Sequence, residues 1–401
     1  MHGTAIECRR CPLDDSFGDF LAVVEGDMKF RLTRVKVSPQ SGLCNLCERF
    51  LRDAGRFFEL RDLARREMRK LFERVRKEGH QYDAVVLLSG GKDSCAALIL
   101  AKERYKLNVV AASVDNGFRI PEAAENIENL TDNLGVDLIT FKIPRSLTKK
   151  LFRVCFEIGD PCGLCQTLVG PPIMARIQMK MGIPIRILGT DLAQVYHEFF
   201  MQLDYWRKKI GMENPFLFRL YSNDYKIYER RYEQYIDLLR REMLSEASTL
   251  YVRELERIYK DLRKYWLSPG ELSEFSQENF VNVYLTAMEI TDYSQQKKIL
   301  ERYGFQLSPV FGEHVSTDCK VAAVAQSLYT EKMWKALNSW KCRVGLISKH
   351  EVLNLMRNRR APIPTIREFF EEIGVKNIRN VWQRAWLYQV FDKDILARIF
   401  M

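Results

Sequence analysis

No apolar run in the sequence approaches the ~20 residues of a membrane-spanning helix. The N-terminal residues MHGTAIECRRC contain no apolar signal core. The expectation is a cytoplasmic chain with no membrane partner. There is no internal repeat and no low-complexity linker, and the Gly-x-x-x-x-Gly-Lys-Ser/Thr spacing of a Walker A loop is missing. Negative charge is also in deficit: 62 Lys and Arg face 52 Asp and Glu, a formal net charge of +10. That balance suits a polyanionic partner, or serves solubility alone. What is present is a globular composition, 47% hydrophobic and 28% charged over 401 residues, long enough for two or three units. Ten cysteines in such a chain argue for metal or redox chemistry rather than disulfides.

Residues 82–100 read YDAVVLLSGGKDSCAALIL. An apolar run, 84–88, meets Ser89-Gly90-Gly91-Lys92-Asp93-Ser94, and an Ala/Leu-rich helical run follows. This pattern predicts a buried strand, a tight turn and a helix N-terminus. Adjacent glycines let a ligand approach the backbone. Ser89 and Ser94 offer hydroxyls, Lys92 offers a point charge, and the first helical N–H groups point at an anion.

Further strands are expected at 109–114, ending in Asp115-Asn116-Gly117, at 138–143, and at 183–188, ending in Gly189-Thr190-Asp191. A helix over 121–134 starts at Pro121 and stops at Gly135. Strand–helix alternation implies an α/β fold with a doubly wound parallel sheet, whose ligands sit at the carboxyl ends of the strands. Ser89, Asp115 and Asp191 all fall at such ends.

Cys8-Arg9-Arg10-Cys11 and Cys44-Asn45-Leu46-Cys47 form two C-x-x-C knuckles. Four thiolates from two knuckles are what tetrahedral Zn²⁺ takes in a structural ribbon; four free buried cysteines are the alternative. A charged amphipathic helix, 51–78, follows, with Leu60, Leu63, Met68, Leu71, Phe72 and Val75 on its apolar side. Its face bearing Arg65, Arg66, Arg69, Arg74 and Arg76 either touches phosphates or is simply solvated. A third pair, Cys162 and Cys165, sits in GDPCGLC before a helical run over 166–181. Cys95 is expected to pack in the core.

SGGKDS after an apolar strand resembles the signature of the PP-loop ATP pyrophosphatases. The resemblance covers residues 80–200 well and the rest loosely or not at all. It implies that ATP is cleaved between its α- and β-phosphates to adenylate a substrate oxygen. Its ATP site would comprise Ser89, Gly90, Gly91, Lys92, Asp93 and Ser94, with Val114 and Asp115 for adenine and ribose. Gly189 and Asp191 would close the site. The turn here, GTDLAQ, has one acidic residue where relatives often have two.

The Cys162–Cys165 pair resembles that of tRNA 2-thiolation enzymes, in which it and one distant cysteine hold a 4Fe–4S cluster. The third ligand is then Cys319, in the turn HVSTDC, with Cys342 and Cys155 as the other candidates. A helix start should lower the thiol pKa values there. A disulfide-forming catalytic pair or a second zinc site are the alternatives.

The implied function is an ATP-dependent sulfurtransferase acting on a tRNA base, with Lys92, Asp93, Cys162 and Cys165 in the reaction. It would use Mg²⁺, held by Asp93 or Asp191, and a sulfur donor, either sulfide or a carrier protein. The N-terminal ribbon is also similar to that of N-acetyl sugar amidotransferases, which use ammonia; thiolation of a small molecule is a further variant. A homodimer is compatible with either.

The expected units are a ribbon (1–50), a linking helix (51–80), the PP-loop core (81–200), a helical insertion (201–303) and a C-terminal part (304–401). The insertion alternates Tyr and Trp with Arg and Lys, including Tyr205, Trp206 and 225–235. That suits stacking on bases, or equally a helical unit packing its aromatics inward. In the C-terminal part a helix is expected over 321–337, Cys342 lies in a short segment after it, and further helices span 351–360 and 365–373. Arg357, Arg359 and Arg360 form a basic cluster there.

Overall fold

Three apolar segments of the middle of the chain become the centre of a six-stranded sheet. In the computed structural model β3 (Ala84–Leu87) pairs in parallel with β4 (Val109–Asp115) on one side and β6 (Ile185–Ile187) on the other. The sheet order is β5-β4-β3-β6-β8-β7, where β5 is Asp137–Lys142, β7 Leu217–Arg219 and β8 Val281–Val283. Only β7 runs antiparallel. The described residues are 5–17, 19–25, 29–157, 162, 165, 168–219, 233, 236–237, 240, 245–275, 280–308, 318–357, 361–376 and 391–400.

β3, β6 and β8 are buried almost throughout; β3 is an unbroken apolar run, whereas β6 and β8 each bury one polar residue at their centre, Arg186 and Asn282. Chain order reverses between β3 and β6, and this creates a crevice at their carboxyl ends. Around the sheet lie α1 (Asn45–Glu78), α2 (Lys92–Ile99), α3 (Pro121–Leu134), α4 (Arg145–Glu157) and α5 (Gly170–Lys180). The chain continues through α6 (Leu192–Gln194), α7 (Leu203–Ile210), α8 (Ser245–Arg263), α9 (Pro269–Phe275), α10 (Leu285–Glu289) and α11 (Tyr293–Glu301). It closes with α12 (Lys320–Leu328), α13 (Glu331–Val344), α14 (Lys349–Arg357), α15 (Ile363–Ile373) and α16 (Lys393–Phe400). Ahead of α1, β1 (Asp19–Glu25) and β2 (Lys29–Arg34) form an antiparallel hairpin between the two cysteine knuckles. No helix of the described residues is long and apolar enough to cross a membrane.

Several expectations need correction. The helix expected over 51–78 begins at Asn45, because the second knuckle itself forms its first turn. Leu63 is exposed, not on the apolar side. The Arg-rich face is partly internal: Arg65 donates to the Met288 carbonyl at 2.6 Å and pairs with buried Glu289, and Arg61 reaches the same carbonyl. The region 201–303 is not purely helical, since it supplies β7 and β8. Buried Arg186 of β6 donates to Asn282 of β8 at 2.9 Å and helps fix their pairing.

Among the described residues of that region, most aromatics pack inward. Trp206 and Trp266 are buried and donate to the carbonyls of Glu198 and Leu168. Of 225–235 only Glu233 is described, and Arg359 and Arg360 lie outside the described residues. The helix expected over 321–337 breaks at Tyr329, where Thr330 caps α13 by accepting from the Met333 N–H. Cys342 lies inside α13, not in a short segment after it. The last helices also shift, to α14 and to α15, which takes Pro364 into its first turn.

Candidate active site

The Ser89–Ser94 turn sits at the carboxyl end of β3, on the crevice side, and its hydroxyls brace it. The Ser94 hydroxyl donates to the Gly91 carbonyl at 3.0 Å and accepts the Ser89 N–H at 3.1 Å. Ser89 Oγ lies 3.0 Å from Ser94 Oγ and accepts from the Gly91 N–H. Ser94, expected to face a ligand, is therefore an internal strut, and it is buried. Gly90 has φ +86°, and a Cβ there would run into the Ala123 carbonyl at the start of α3. A Cβ at Gly189 would collide with the backbone of Asp93 and Ser94. Both glycines thus permit a close approach that no side chain allows. Asn126 of α3, not singled out from the sequence, donates to the Gly90 carbonyl at 3.2 Å.

Lys92 and Asp93 face a group of residues from distant segments. Lys92 Nζ lies 2.7 Å from Asp93 Oδ2 and 4.4 Å from the centre of the Tyr293 ring. Asp93 Oδ1 accepts from Gln296 at 2.7 Å. Tyr293 donates to Asp191 Oδ2 at 3.2 Å, and burial pushes its phenol well above its usual pKa. Asp191 Oδ1 caps α6 by accepting from Gln194 N–H at 2.8 Å. Ser89, Gly90, Gly91, Lys92, Asp93, Gly189 and Asp191 therefore converge, while Tyr293 and Gln296 were invisible to motif reading.

At the end of β4, Asp115 accepts from the Gly117 N–H at 2.8 Å and Asn116 accepts from Phe118 N–H at 2.9 Å. These two turns aim the Asn116 amide nitrogen at two sulfurs, Cys319 Sγ at 3.5 Å and Cys165 Sγ at 3.8 Å. Cys319 is carried there by backbone pairing: Lys320 N–H donates to the Phe118 carbonyl at 2.8 Å. Cys162, Cys165 and Cys319 are each half-buried against one apolar cluster, in which Val114 also packs. Asp318 lies against the PP-loop, since a Cβ on Gly91 would meet its Cβ at 3.3 Å.

The pKa expectation for these thiols is reversed. Burial outweighs the helix-start N–H groups, pushing Cys165 up to about 12 and Cys319 to about 11. Of the other candidates, Cys155 is fully buried in α4, and Cys342 packs with the N-terminal cysteines instead. Cys95 is buried in the core, as expected.

The sulfurs of Cys8, Cys11, Cys44 and Cys47 all lie within 4.8 Å of one another and are fully buried. Cys8–Cys47 and Cys11–Cys44 separations are 3.8 and 3.7 Å. A tetrahedral ion with sulfur ligands at ~2.3 Å needs sulfur edges of about 3.8 Å, so the four residues fit one metal ion. Among the described residues no other group of cysteines, histidines or carboxylates gathers as tightly. A separate cavity of about 310 Å³, lined by Arg74, His80, Pro184, Arg219 and Phe280 among others, opens at the amino ends of the strands. It lies across the sheet from the loop.

A parallel sheet with SGGKDS at its central strand and a topological reversal beside it is the arrangement that the PP-loop resemblance implies. Residues 83–154 match the family model described as "Queuosine biosynthesis protein QueC". Over 156 residues the chain is 32% identical to the uncharacterized protein MJ1599 of Methanocaldococcus jannaschii, a match covering 39% of this chain. The chain spans about half, 54%, of that relative's length.

Two solved structures also resemble it. One is the U34-tRNA thiolase NcsA from Methanococcus maripaludis with its 4Fe-4S cluster: 14% identity, TM-score 0.26, covering 75% of this chain and 88% of that one. The other is the NH3-dependent NAD synthetase from Campylobacter jejuni in complex with the nitrate ion: 12% identity, TM-score 0.22, covering 55% and 93%. At those TM-scores neither superposition carries an argument about the site.

Proposed function

We propose that the chain is an ATP-dependent sulfurtransferase that adenylates a carbonyl oxygen of a nucleobase, in tRNA, and replaces that oxygen with sulfur. The observation that carries this reading is the shared donor at Asn116, which faces both Cys165 and Cys319 within a few residues of the strand end that would hold adenosine. The matched family model, described as a queuosine biosynthesis protein, points to acceptors other than a tRNA base as the competing reading.

Mg-ATP would lie over 89–94, with Asp93 and Asp191 holding the metal and Lys92 neutralising phosphate charge. The acceptor oxygen attacks the α-phosphorus, the Pα–O–Pβ bridge breaks, and pyrophosphate leaves. Sulfide then attacks the activated carbon, the C–O bond to AMP breaks, and a proton is released, with no net redox change. Cys162, Cys165 and Cys319, three thiols half-buried against one apolar cluster, would hold a 4Fe–4S cluster. Such a cluster, when bound, would supply an iron free of protein ligands to carry sulfide. The N-terminal quartet would hold a structural Zn²⁺.

Anaerobic purification, iron counting and the visible spectrum test this reading. Cys319→Ala should lose iron and Cys342→Ala should keep it. A colourless, iron-free and fully active enzyme would refute the cluster. The matched segment ends before Cys162 and so bears on adenylation rather than on the nucleophile. Incorporation of ¹⁵N-ammonia instead of sulfide would favour an amidotransferase, acting on an N-acetyl sugar for example.

A further inference from the structure

We propose that Lys341 is a second phosphate-binding cation of this site, and that with Lys92 it forms a pocket for the pyrophosphate end of ATP. The inference rests on the ATP-cleaving reading above and extends it to a residue far from the loop in sequence.

Lys341 lies on α13 and directs its ammonium toward the Tyr293 ring, 5.7 Å from the centroid. Lys92 approaches the same ring at 4.4 Å. One aromatic ring thus meets two cations, and its hydroxyl is tied to Asp191. Lys92 is paired with Asp93 at 2.7 Å. Lys341, among the described residues, has no carboxylate within ion-pair distance. It is only partly exposed, and its charged neighbours are the like-charged Lys92 and the carboxylates of Asp191 and Asp93.

Asp93 and Asp191 both act on this pair of ammonium groups, but only Lys92 is ion-paired, so Lys341 is left with charge to offer a ligand. The multiply charged pyrophosphate end of ATP, lying over the adjoining 89–94 turn, suits it. Burial, then Lys92, lower the Lys341 pKa, with Asp191 and Asp93 acting in the opposite sense.

The helix is not free to carry Lys341 elsewhere. Trp340 stacks on buried His197 with ring centres 3.4 Å apart, and the carbonyl of Arg343 accepts from Arg10 at 2.7 Å. The backbone that carries Lys341 is therefore held in place before any ligand arrives.

Calorimetric titration of the full chain with Mg-pyrophosphate, Mg-ATP and AMP tests the proposal. Lys341→Gln should weaken pyrophosphate and ATP by about 10- to 100-fold, the range for one lost charge-assisted hydrogen bond. AMP affinity should stay as in the wild type, and Lys341→Arg should recover part of the loss. Equal losses for AMP and pyrophosphate would assign Lys341 a merely structural role and overturn the proposal, as would unchanged affinities. A wild type that binds AMP but neither ATP nor pyrophosphate overturns the ATP-cleaving reading itself, and the proposal falls with it. Lysine acylation footprinting on the wild type reads the same contact without any variant. Pyrophosphate should protect Lys341 and AMP should not; equal labelling in both would refute the contact.

Discussion

Three glycines separate backbone strain from steric collision, and the alanine variant that combines the two should cost the most. Gly79 ends α1 with φ +72° and has nothing within 4 Å of the place a Cβ would occupy, so Gly79→Ala meets conformational strain alone. That strain costs about 1–2 kcal/mol. Gly189 has no such φ, but its Cβ would enter the backbone of Asp93 and Ser94, so Gly189→Ala meets collision alone. Overpacking of this kind costs about 1–3 kcal/mol. Gly90 combines φ +86° with a collision against the Ala123 carbonyl, so Gly90→Ala should cost about 2–5 kcal/mol. Urea denaturation followed by circular dichroism reads the three midpoints, with slopes unchanged. Gly90→Ala and Gly189→Ala should also weaken ATP binding, because both displace the loop, while Gly79→Ala should not. A Gly189→Ala midpoint equal to wild type, or a Gly90→Ala cost no larger than that of Gly79→Ala, would refute the reasoning.

His197 supplies a pH test. Burial, then Arg343 and Arg49, lower its pKa to about 3, so between pH 6.5 and 3 the unfolded chain binds a proton that the folded chain does not. Stability should be full above pH 6.5 and fall by about 2 kcal/mol on going to pH 5; His197→Phe, which keeps a ring on Trp340, should flatten that slope. Cys44→Ser should lower bound zinc well below one equivalent by elemental analysis and lower the melting temperature, whereas Cys95→Ser should leave the zinc count intact. Asn126→Ala removes a buried donor to Gly90 and leaves the Gln306 N–H without its acceptor, a loss of about 1–3 kcal/mol readable by denaturation. Lys92→Ala should abolish ATP-dependent AMP release, and unaltered turnover would remove the loop from the reaction.

What could be read from the sequence was local. The SGGKDS turn, the strands around it and the helix from Pro121 to Gly135 carry their signals within a few residues: an apolar run, two glycines, a proline start, a glycine stop. The four N-terminal cysteines announce themselves by spacing. What stayed hidden was set by partners distant in sequence. β7 and β8 are three residues each, too short for any periodicity, and become strands only by pairing beside β6. Tyr293, Gln296 and Lys341 look like ordinary helix residues until α11 and α13 are packed against the loop. One available signal was passed over: Thr330 followed by Glu331, with Gly345 further on, marks both ends of α13 and would have kept Lys341 and Cys342 inside a helix. The lowered thiol pKa expected at Cys319 failed because helix-start N–H groups compete there with burial, which a solvent-exposed helix start does not have.

The contact between the first cysteine knuckle and α13 joins residues 333 positions apart, from Arg10 to the carbonyl of Arg343. Lys349 spans a similar gap to reach the Cys8 carbonyl. At 5–20 residues per second, a ribosome takes about 20–70 s to make that interval. For that time the N-terminal module has no C-terminal helix to lean on, and the apolar side that later meets Ala336, Ile347 and Val352 is uncovered. Assembly of this protein is therefore ordered by synthesis: the four N-terminal cysteines can gather early, and Lys341 reaches the crevice above β3 only after the final third of the chain has docked.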